Sequence, residues 1–210
     1  MKVQLMDMTQ NPVEKLATIA SVCYGRKLTS NRDEQVKLIK KIMNKGHHSV
    51  LEHVYMTFFI SEISRVCSHQ LVRHRIASYT QKSDRYSEPT KEYYIPDLSY
   101  LEISEQMRDY HDRLTNDYLL MVEGYYNYLI QLGVKKEDAR YFLPQALTTE
   151  LYVTMNLREI IHFLTLRLCK RAQKEIREVA KEILKICQEQ IPELFNNFSP
   201  CAECKEQCDN

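Results

Sequence analysis

Apolar residues recur every three or four positions over several long stretches of this chain, which is the spacing of one face of an α-helix. The pattern predicts long helices at residues 30–45, 101–132, 157–168 and 172–190, and a short helix at 136–142. Gly46 and Gly133 directly follow two of these stretches, and glycine commonly ends a helix because it adopts positive φ readily. The chain is therefore predicted to be dominated by helices.

Two shorter stretches have the composition of β-strands, because they are rich in β-branched and aromatic residues. They are VYMTFFISEI, residues 54–63, and ELYVTMN, residues 150–156. A short helix is predicted at residues 64–72, and residues 73–87 are predicted to form a long loop, a kind of segment that often carries function. Helices and strands do not alternate regularly, so we expect an α/β (α+β) fold with a small, mostly antiparallel sheet flanked by several long helices.

The length of 210 residues indicates a single domain, which we place at residues 1–195. The polar remainder, residues 196–210, contains Cys201, Cys204 and Cys208 and is predicted to be a mobile tail. No N-terminal stretch resembles a signal peptide, and no apolar run is long enough to span a membrane. We therefore expect a soluble, cytoplasmic protein without a membrane partner.

Composition excludes several functional classes. With 29 basic and 28 acidic residues the chain has no overall charge for binding nucleic acid, so any anion site must be local. Only four glycines occur, which excludes a glycine-rich P-loop and a G-x-G-x-x-G dinucleotide turn. Seven cysteines, an odd number, favour reduced thiols in a reducing compartment. Side chains would therefore have to hold the phosphates of any nucleotide.

The main candidate anion site is Arg73-His74-Arg75, at the start of the predicted loop. In extended backbone the two arginines share a face and the histidine points to the other. Two guanidinium groups on one face suit a pyrophosphate or two phosphate oxygens, because each can donate paired hydrogen bonds. Ser83 and Arg85 add a hydroxyl and a third guanidinium further along. For the first three residues alone, a solvated basic turn is the alternative.

Arg167 is a second candidate, because leucines precede and follow it on the predicted helix at residues 157–168. A guanidinium among apolar side chains needs an acceptor, and a bound anion would provide one. Gln70 and Gln81 carry amide groups that could read the edge of a base, or could simply lie on the surface.

Two segments contain residue types that bind metals, but neither predicts a metal site. GHHSVLEH, residues 46–53, has three histidines and a glutamate without the H-E-x-x-H spacing of zinc proteases, so a polar turn that touches a ligand is preferred. The tail has three thiols at C-x2-C-x3-C spacing, one short of a closed tetrahedral site. A frayed tail with exposed thiols is preferred there, and no metal is expected.

Together these segments resemble the flavin-dependent thymidylate synthases. Arg73-His74-Arg75, followed after seven residues by Ser83, matches the signature of that family. GHHSVLEH is similar to its G-H-x-[ST]-x-x-E-H segment, ARYFLP (residues 139–144) to its A-R-x-x-L-P, and NLREIIHFLTLR (residues 156–167) to its N-x-R-x-x-x-x-F-x-x-L-R. The four motifs occur in the family's order over roughly residues 20–190.

The resemblance implies a methyltransferase built as a single α/β domain that assembles as a homotetramer, with active sites between subunits. It implies methylation of carbon 5 of the uracil in dUMP. The carbon would come from 5,10-methylenetetrahydrofolate and the hydride from reduced FAD, with NADPH reducing the flavin. Arg167 would be the catalytic residue, since a guanidinium stabilises the negative charge that develops when the proton on N3 of uracil is loosened. Ser83 would bind phosphate rather than act as a nucleophile.

The resemblance also implies which residues contact the ligands. The residues expected to bind dUMP are Gln70, Arg73, Gln81, Lys82, Ser83, Asp84, Arg85, Arg140 and Arg167. The residues expected to bind FAD are His47, Ser49, Glu52, Arg73, His74, Arg75, Gln81, Asn156, Arg158 and His162. The phosphate of dUMP is expected at Ser83, Arg85 and Arg140.

The chain departs from the family's pattern at Thr80-Gln81, where Asn-Glu is common, and at His162 and Arg171, where asparagine and histidine are common. Two other functions fit parts of the sequence. A related flavoenzyme acting on another pyrimidine nucleotide, or transferring a different one-carbon group, would keep every motif. A module that binds single-stranded nucleic acid would use the arginines and tyrosines of the loop for stacking, but the near-neutral net charge speaks against it.

Overall fold

The computed structural model describes residues 1–23, 25 and 30–199. Along the chain these residues form β1 (Lys2–Met8), α1 (Pro12–Cys23), α2 (Arg32–Asn44), β2 (Tyr55–Ser64), α3 (Arg65–Leu71), β3 (Ala77–Gln81), α4 (Glu105–Gln131), α5 (Lys136–Ala139), β4 (Thr148–Asn156), α6 (Leu157–Arg167), α7 (Lys174–Gln190) and α8 (Pro192–Phe195). Two 3₁₀ helices cover His48–His53 and Arg140–Phe142. The described strands form a small antiparallel sheet in the order β1-β2-β4-β3. The predicted mixed α/β fold is confirmed.

Most of the predicted helices and strands are present, and the structure differs from the sequence analysis in two respects. The long predicted helices correspond to α2, α4, α6 and α7, and the two predicted strands to β2 and β4. The sequence analysis did not identify β1 or α1, and its prediction of an uninterrupted loop at residues 73–87 was wrong, because β3 lies inside it. Since β3 is at the edge of the sheet, it tolerates the polar sequence ASYTQ that concealed it.

The described chain forms two compact units that are interleaved in the sequence. Unit 1 comprises Met1–Ser61, His69–Thr80 and the described residues from Leu151 onward. In β2, alternate residues are buried because successive side chains of a strand point to opposite faces. Within this unit α1 packs against α2, and α6 against α7. Its largest fully buried side chains include Leu16, Ile39, Phe58, Phe163 and Phe195.

Unit 2 comprises Glu62–Ser68 and Gln81–Glu150, and therefore contains all of α4 and α5. Ser104 caps the start of α4, because its hydroxyl accepts a hydrogen bond from the backbone N–H of Met107. The helix buries only Val122 and Tyr126. The apolar residues whose helical spacing predicted this helix are, by contrast, not buried within this chain. The exposed ones among them are Met107, Tyr110, Leu114, Tyr118, Met121 and Tyr125.

Two further sequence predictions concern the surface and the end of the chain. No helix in the described segments combines the length and the apolar character needed to cross a membrane. The tail predicted at residues 196–210 lies outside the described residues from position 200 onward, and with it Cys201, Cys204 and Cys208. In the described part of that segment, the ring of Phe198 lies 6.0 Å from that of Phe195.

Candidate functional site

Arg73, His74 and Arg75 lie directly after α3, and their burial follows the predicted alternation. Both arginines are exposed, while His74 is only 4% exposed. The backbone here is fixed by Tyr79, whose hydroxyl donates to the carbonyl oxygens of Leu71 at 2.8 Å and of His74 at 2.9 Å. This arrangement presents two cations to solvent and one imidazole to the interior of unit 1.

The imidazole of His74 makes a hydrogen bond on each of its nitrogens. Its Nδ1 lies 3.1 Å from Oε1 of Glu159, and its Nε2 accepts a hydrogen bond of 3.0 Å from Nε of Arg167. Arg167 also donates from Nη2 to the carbonyl oxygen of Gln70, at 3.2 Å. The edge of the imidazole packs against Phe163, with 5.0 Å between ring centroids. Arg167 thus has two protein acceptors here, and the bound anion expected as its acceptor stays a prediction.

Helix α6 brings these partners to His74. The side chain of Asn156 accepts a hydrogen bond from the backbone N–H of Glu159 at 2.9 Å and so caps the helix where β4 ends. Glu159 therefore lies in the first turn, His162 one turn further on and Arg167 in the last turn. Residues three or four apart share a face of a helix, which places His162 beside Glu159. Arg167 follows Glu159 by eight residues, a little over two turns, and contacts the other nitrogen of His74 from the last turn of α6.

A cavity of about 560 Å³ opens beside this cluster, entirely within unit 1. That volume lies in the range of about 300–1,000 Å³ that is usual for cofactor sites. Seven residues predicted to bind FAD line it, namely Glu52, Arg73, His74, Arg75, Asn156, Arg158 and His162. Two of these lining residues contact each other, since Nη1 of Arg158 donates to Oε1 of Glu52. The three arginines among its lining residues are a donor set that suits the pyrophosphate of a dinucleotide.

Three residues predicted to bind FAD are not in this cavity. His47 and Ser49 line a separate cavity of about 210 Å³, together with Cys23 and Ile42 among others. Adjacent residues of a 3₁₀ helix point about 120° apart, so the turn at His48–His53 sends neighbouring side chains in different directions. Gln81 belongs to unit 2, where its amide nitrogen donates to the hydroxyls of Ser68 and Thr149.

Sequence reasoning missed several residues of the larger cavity, which are His48, Ile76, Glu159, Ile161 and Thr165. His48 lies in the quoted GHHSVLEH motif, but the sequence offered no basis for choosing it over its neighbour. Glu159 stands three residues after the capping Asn156, a spacing that suggests reciprocal capping of the helix. Its carboxylate instead contacts His74, a pairing that only the tertiary structure reveals.

In unit 2, two of the three residues predicted to hold the phosphate, Arg85 and Arg140, contact Glu137, and the third, Ser83, contacts Arg85. Nη2 of Arg85 donates to Oε2 of Glu137 at 2.8 Å, and Nε of Arg140 donates to the carbonyl oxygen of the same residue at 3.2 Å. The hydroxyl oxygen of Ser83 accepts from the backbone N–H of Arg85 at 3.3 Å. The hydrogen bond and the charge of Arg85 lower the pKa of Glu137. Sequence reasoning did not identify Glu137.

The remaining residues predicted to bind dUMP are divided between the units. Lys82 and Asp84 belong to unit 2, where Arg65 donates to the carboxylate of Asp84 and to the carbonyl oxygen of Lys82. Gln70, like Arg73 and Arg167, belongs to unit 1, and its amide donates to Gln173 at 3.1 Å. The predicted set therefore comprises one group of residues in each unit.

Burial sets the protonation of the cluster around His74. Burial, followed by the nearby charges of Arg167 and His162, lowers the pKa of His74 to about 4. Burial raises the pKa of Glu159. His74, Glu159 and His162 also bring possible ligand atoms within 4.8 Å of one another. Both nitrogens of His74 are already hydrogen-bonded, so the geometry favours a hydrogen-bonded chain over a metal centre there.

A polar, arginine-lined cavity of this size in a mixed α/β fold is typical of proteins that bind an anionic nucleotide or cofactor. The model of one family, described as thymidylate synthase complementing protein, matches residues 4–193. The chain belongs to this family.

Named relatives agree with this assignment. The chain is 42% identical over 191 residues to a flavin-dependent thymidylate synthase of Pyrococcus furiosus, covering 87% of this chain and 77% of the relative. It is 39% identical over 211 residues to the protein of the same name from Geobacter sulfurreducens, covering 95% and 88%. A crystal structure of a UMP/dUMP methylase from Streptomyces cacaoi superposes with a TM-score of 0.82 over 93% of each chain, at 24% identity. That last likeness concerns the fold.

Proposed function

We propose that this protein is a flavin-dependent thymidylate synthase, which methylates dUMP to dTMP. 5,10-Methylenetetrahydrofolate is the carbon donor, FAD the hydride carrier and NADPH the reductant. The observation that carries the proposal is that residues from three separate motifs, around Glu52, Arg73–Arg75 and Asn156–His162, line one cavity of about 560 Å³. Relatives that carry this name cover most of the chain at about 40% identity, which supports the same conclusion.

The residues of the cavity suit FAD. Arg73, Arg75 and Arg158 would pair with its pyrophosphate, because guanidinium groups donate paired, charge-assisted hydrogen bonds to phosphate. Asn156 and His162 would supply polar contacts at the same cavity. When bound, the reduced flavin supplies the hydride that completes the methyl group. His47 and Ser49 would contact the flavin of a second copy of the chain, since they line a different cavity of their own chain.

The phosphate of dUMP would bind Ser83, Arg85 and Arg140. The side chains of Arg85 and Arg140 both contact Glu137, and Ser83 contacts the backbone of Arg85, which supports this grouping. Binding would require Arg85 to exchange the exposed carboxylate of Glu137 for the phosphate, and an exposed ion pair screened by solvent opposes this exchange only weakly. Lys82 and Asp84 would position this segment through their bonds to Arg65.

Arg167 would act on the uracil ring. Carbon 5 becomes nucleophilic when the proton on N3 is loosened, and a guanidinium aimed at the developing charge stabilises that state. Arg167 is half-buried and its Nε and Nη2 are already directed by His74 and by the carbonyl of Gln70. A side chain fixed in this way loses little further freedom when the substrate binds. Gln70, Arg73 and Gln81 would complete the contacts with the nucleotide.

The exposed apolar face of α4 supports assembly as a homotetramer. Met107, Tyr110, Leu114, Tyr118, Met121 and Tyr125 recur at helical spacing and are each at least 44% exposed. A continuous apolar face of this size on a helix marks an association surface. Replacing Leu114 by Glu should therefore yield smaller species in light scattering, whereas Asn116→Glu, at an exposed position about 200° around α4 from Leu114, should not. A tetramer unaffected by Leu114→Glu would show that α4 is not the interface.

The four described cysteines, Cys23, Cys67, Cys169 and Cys187, are free thiols, which supports a reducing compartment and hence the cytoplasm.

Enzyme assays test the proposed function directly. The purified protein should carry or take up flavin and make dTMP only when dUMP, methylenetetrahydrofolate and NADPH are all present. UMP serves as the control substrate. Methylation of UMP in preference to dUMP would favour the related flavoenzyme, and failure to take up flavin would contradict both. Flavin uptake without dTMP formation would contradict the thymidylate synthase alone.

A further inference from the structure

Three side chains in unit 1 form a hydrogen-bonded chain whose far end is buried. Arg167 contacts His74, and His74 contacts Glu159, at 3.0 and 3.1 Å. His74 and Glu159 are 4% and 5% exposed, so neither can readily exchange its partner for water. None of the roles considered above requires Glu159, although it lines the larger cavity. Burial raises the free energy of a charged carboxylate, so a buried glutamate needs a hydrogen-bond partner, and here that partner is His74.

The protons that each group can carry fix the direction of the two hydrogen bonds that join Arg167, His74 and Glu159. Nε of an arginine always carries a proton, so the bond to Arg167 requires a lone pair on Nε2 of His74. Because burial and nearby cations lower the pKa of His74 to about 4, the imidazole is neutral at pH 7 and holds one proton. That proton must then reside on Nδ1, from which it is donated to Oε1 of Glu159.

We propose that Glu159 is a positioning residue for Arg167 and acts through His74. The Glu159 acceptor fixes the proton of His74 on Nδ1 and leaves Nε2 as the acceptor that orients the guanidinium of Arg167. Without an acceptor at position 159, the buried N–H of His74 has no partner. The imidazole can then satisfy itself only by rotating or by moving its proton to Nε2, which repels Nε–H of Arg167. The catalytic part of this inference rests on the proposed function, whereas the positions of the protons do not.

Two substitutions at Glu159 separate this role from mere support of the fold. Glu159→Gln retains an oxygen acceptor of the same length, whereas Glu159→Leu retains the volume and removes the acceptor. Ile160→Val is the matched control, since Ile160 is the next residue on α6 and is fully buried in the core. All three variants are compared with the unaltered protein at equal flavin content and in the same oligomeric state.

The first measurement needs no enzymatic activity. Nitrogen NMR of protein with ¹⁵N-labelled histidine rings and arginine side chains identifies the protonated nitrogen of His74 and the hydrogen-bonded Nε–H of Arg167, with His74→Asn and Arg167→Lys used for assignment. We expect a proton on Nδ1 and a protected Arg167 Nε–H in the unaltered protein, in Glu159→Gln and in Ile160→Val. Both signatures should be lost in Glu159→Leu. A proton on Nε2 in the unaltered protein, or no change in Glu159→Leu, would overturn the inference.

The second measurement links the chain to catalysis. Methyl transfer by Glu159→Leu should have a kcat about 10- to 100-fold lower, with the KM for dUMP and the affinity for FAD changed less than about threefold, which corresponds to losing one hydrogen bond to a charged group. Glu159→Gln should restore kcat to within about fivefold. Equal losses in both variants, or a loss mainly in KM, would show that Glu159 does not act through the orientation of Arg167. If the unaltered protein makes no dTMP, the proposed function fails, and the NMR result still decides the hydrogen-bond chain.

Discussion

The buried, neutral His74 should make the protein sensitive to acid. An unfolded chain exposes this imidazole, which then has an ordinary pKa near 6.5, whereas burial in the folded protein lowers the pKa to about 4. Between these values the unfolded state binds more protons than the folded state, so the free energy of unfolding falls as the pH falls. This loss of unfolding free energy begins below about pH 7 and is essentially complete below about pH 4.

The size of the effect follows from the two pKa values. The gap between the two pKa values corresponds to about 3 kcal/mol once both states are protonated, and to about 2 kcal/mol at pH 5. Glu159 works in the opposite sense, because a raised pKa favours proton uptake by the folded state. Because Glu159 contacts His74, a substitution of His74 also changes this effect. A Glu159→Gln parent removes it, so comparing that parent with the double variant that also carries His74→Gln isolates the imidazole.

Urea unfolding at several pH values measures this difference. At equal protein concentration and flavin content, the Glu159→Gln parent should lose about 2 kcal/mol more than the double variant between pH 8 and pH 5. The variant is expected to be less stable at pH 8, because the contacts of the ring are lost, but its pH dependence should be flatter. Parallel curves for the two proteins would refute the description of His74 as a buried neutral imidazole.

Three further outcomes follow from other parts of the structure. Cys187 is buried, which raises its pKa to about 12, so it should resist alkylation at pH 8 while the exposed Cys23 reacts; modification of Cys187 in folded protein, seen by mass spectrometry, would contradict this. Glu137→Gln weakens the competitor for Arg85 and should lower the KM for dUMP up to about fivefold, whereas an increased KM would argue against phosphate binding there. Phe58→Ala should destabilise the protein by about 3–5 kcal/mol in urea unfolding, and a loss under 1 kcal/mol would contradict its place in the core.

The sequence predicted the fold where local patterns determine structure. The helical spacing of α4 and α7 and the β-branched composition of β2 were sufficient signals. Strand β3 escaped because an edge strand can be polar, so its pairing with β4 rather than its composition makes it a strand. The exposed face of α4 shows another limit, since periodicity identifies an apolar face without revealing whether the same chain or another copy covers it.

The candidate site was predictable where a motif keeps its residues close together. Arg73, His74 and Arg75 were identified as a group, and the expectation that the histidine points away from the two arginines agrees with its burial. The pairing of His74 with Glu159 joins residues 85 positions apart, and no local pattern encodes such a contact. The same holds for Glu137, which appeared in the sequence as an ordinary solvated acid near the start of a short helix.

The central claim is that Arg167 in this site promotes the transfer of a one-carbon unit to dUMP. The most direct measurement is the incorporation of carbon from ¹⁴C-labelled methylenetetrahydrofolate into dTMP in a single turnover, with the flavin reduced beforehand. The unaltered protein should yield labelled dTMP, and Arg167→Ala should slow its formation by at least about 100-fold while flavin content and oligomeric state stay the same. Labelled dTMP formed at an undiminished rate by Arg167→Ala, or no labelled dTMP from the unaltered protein, would contradict the account.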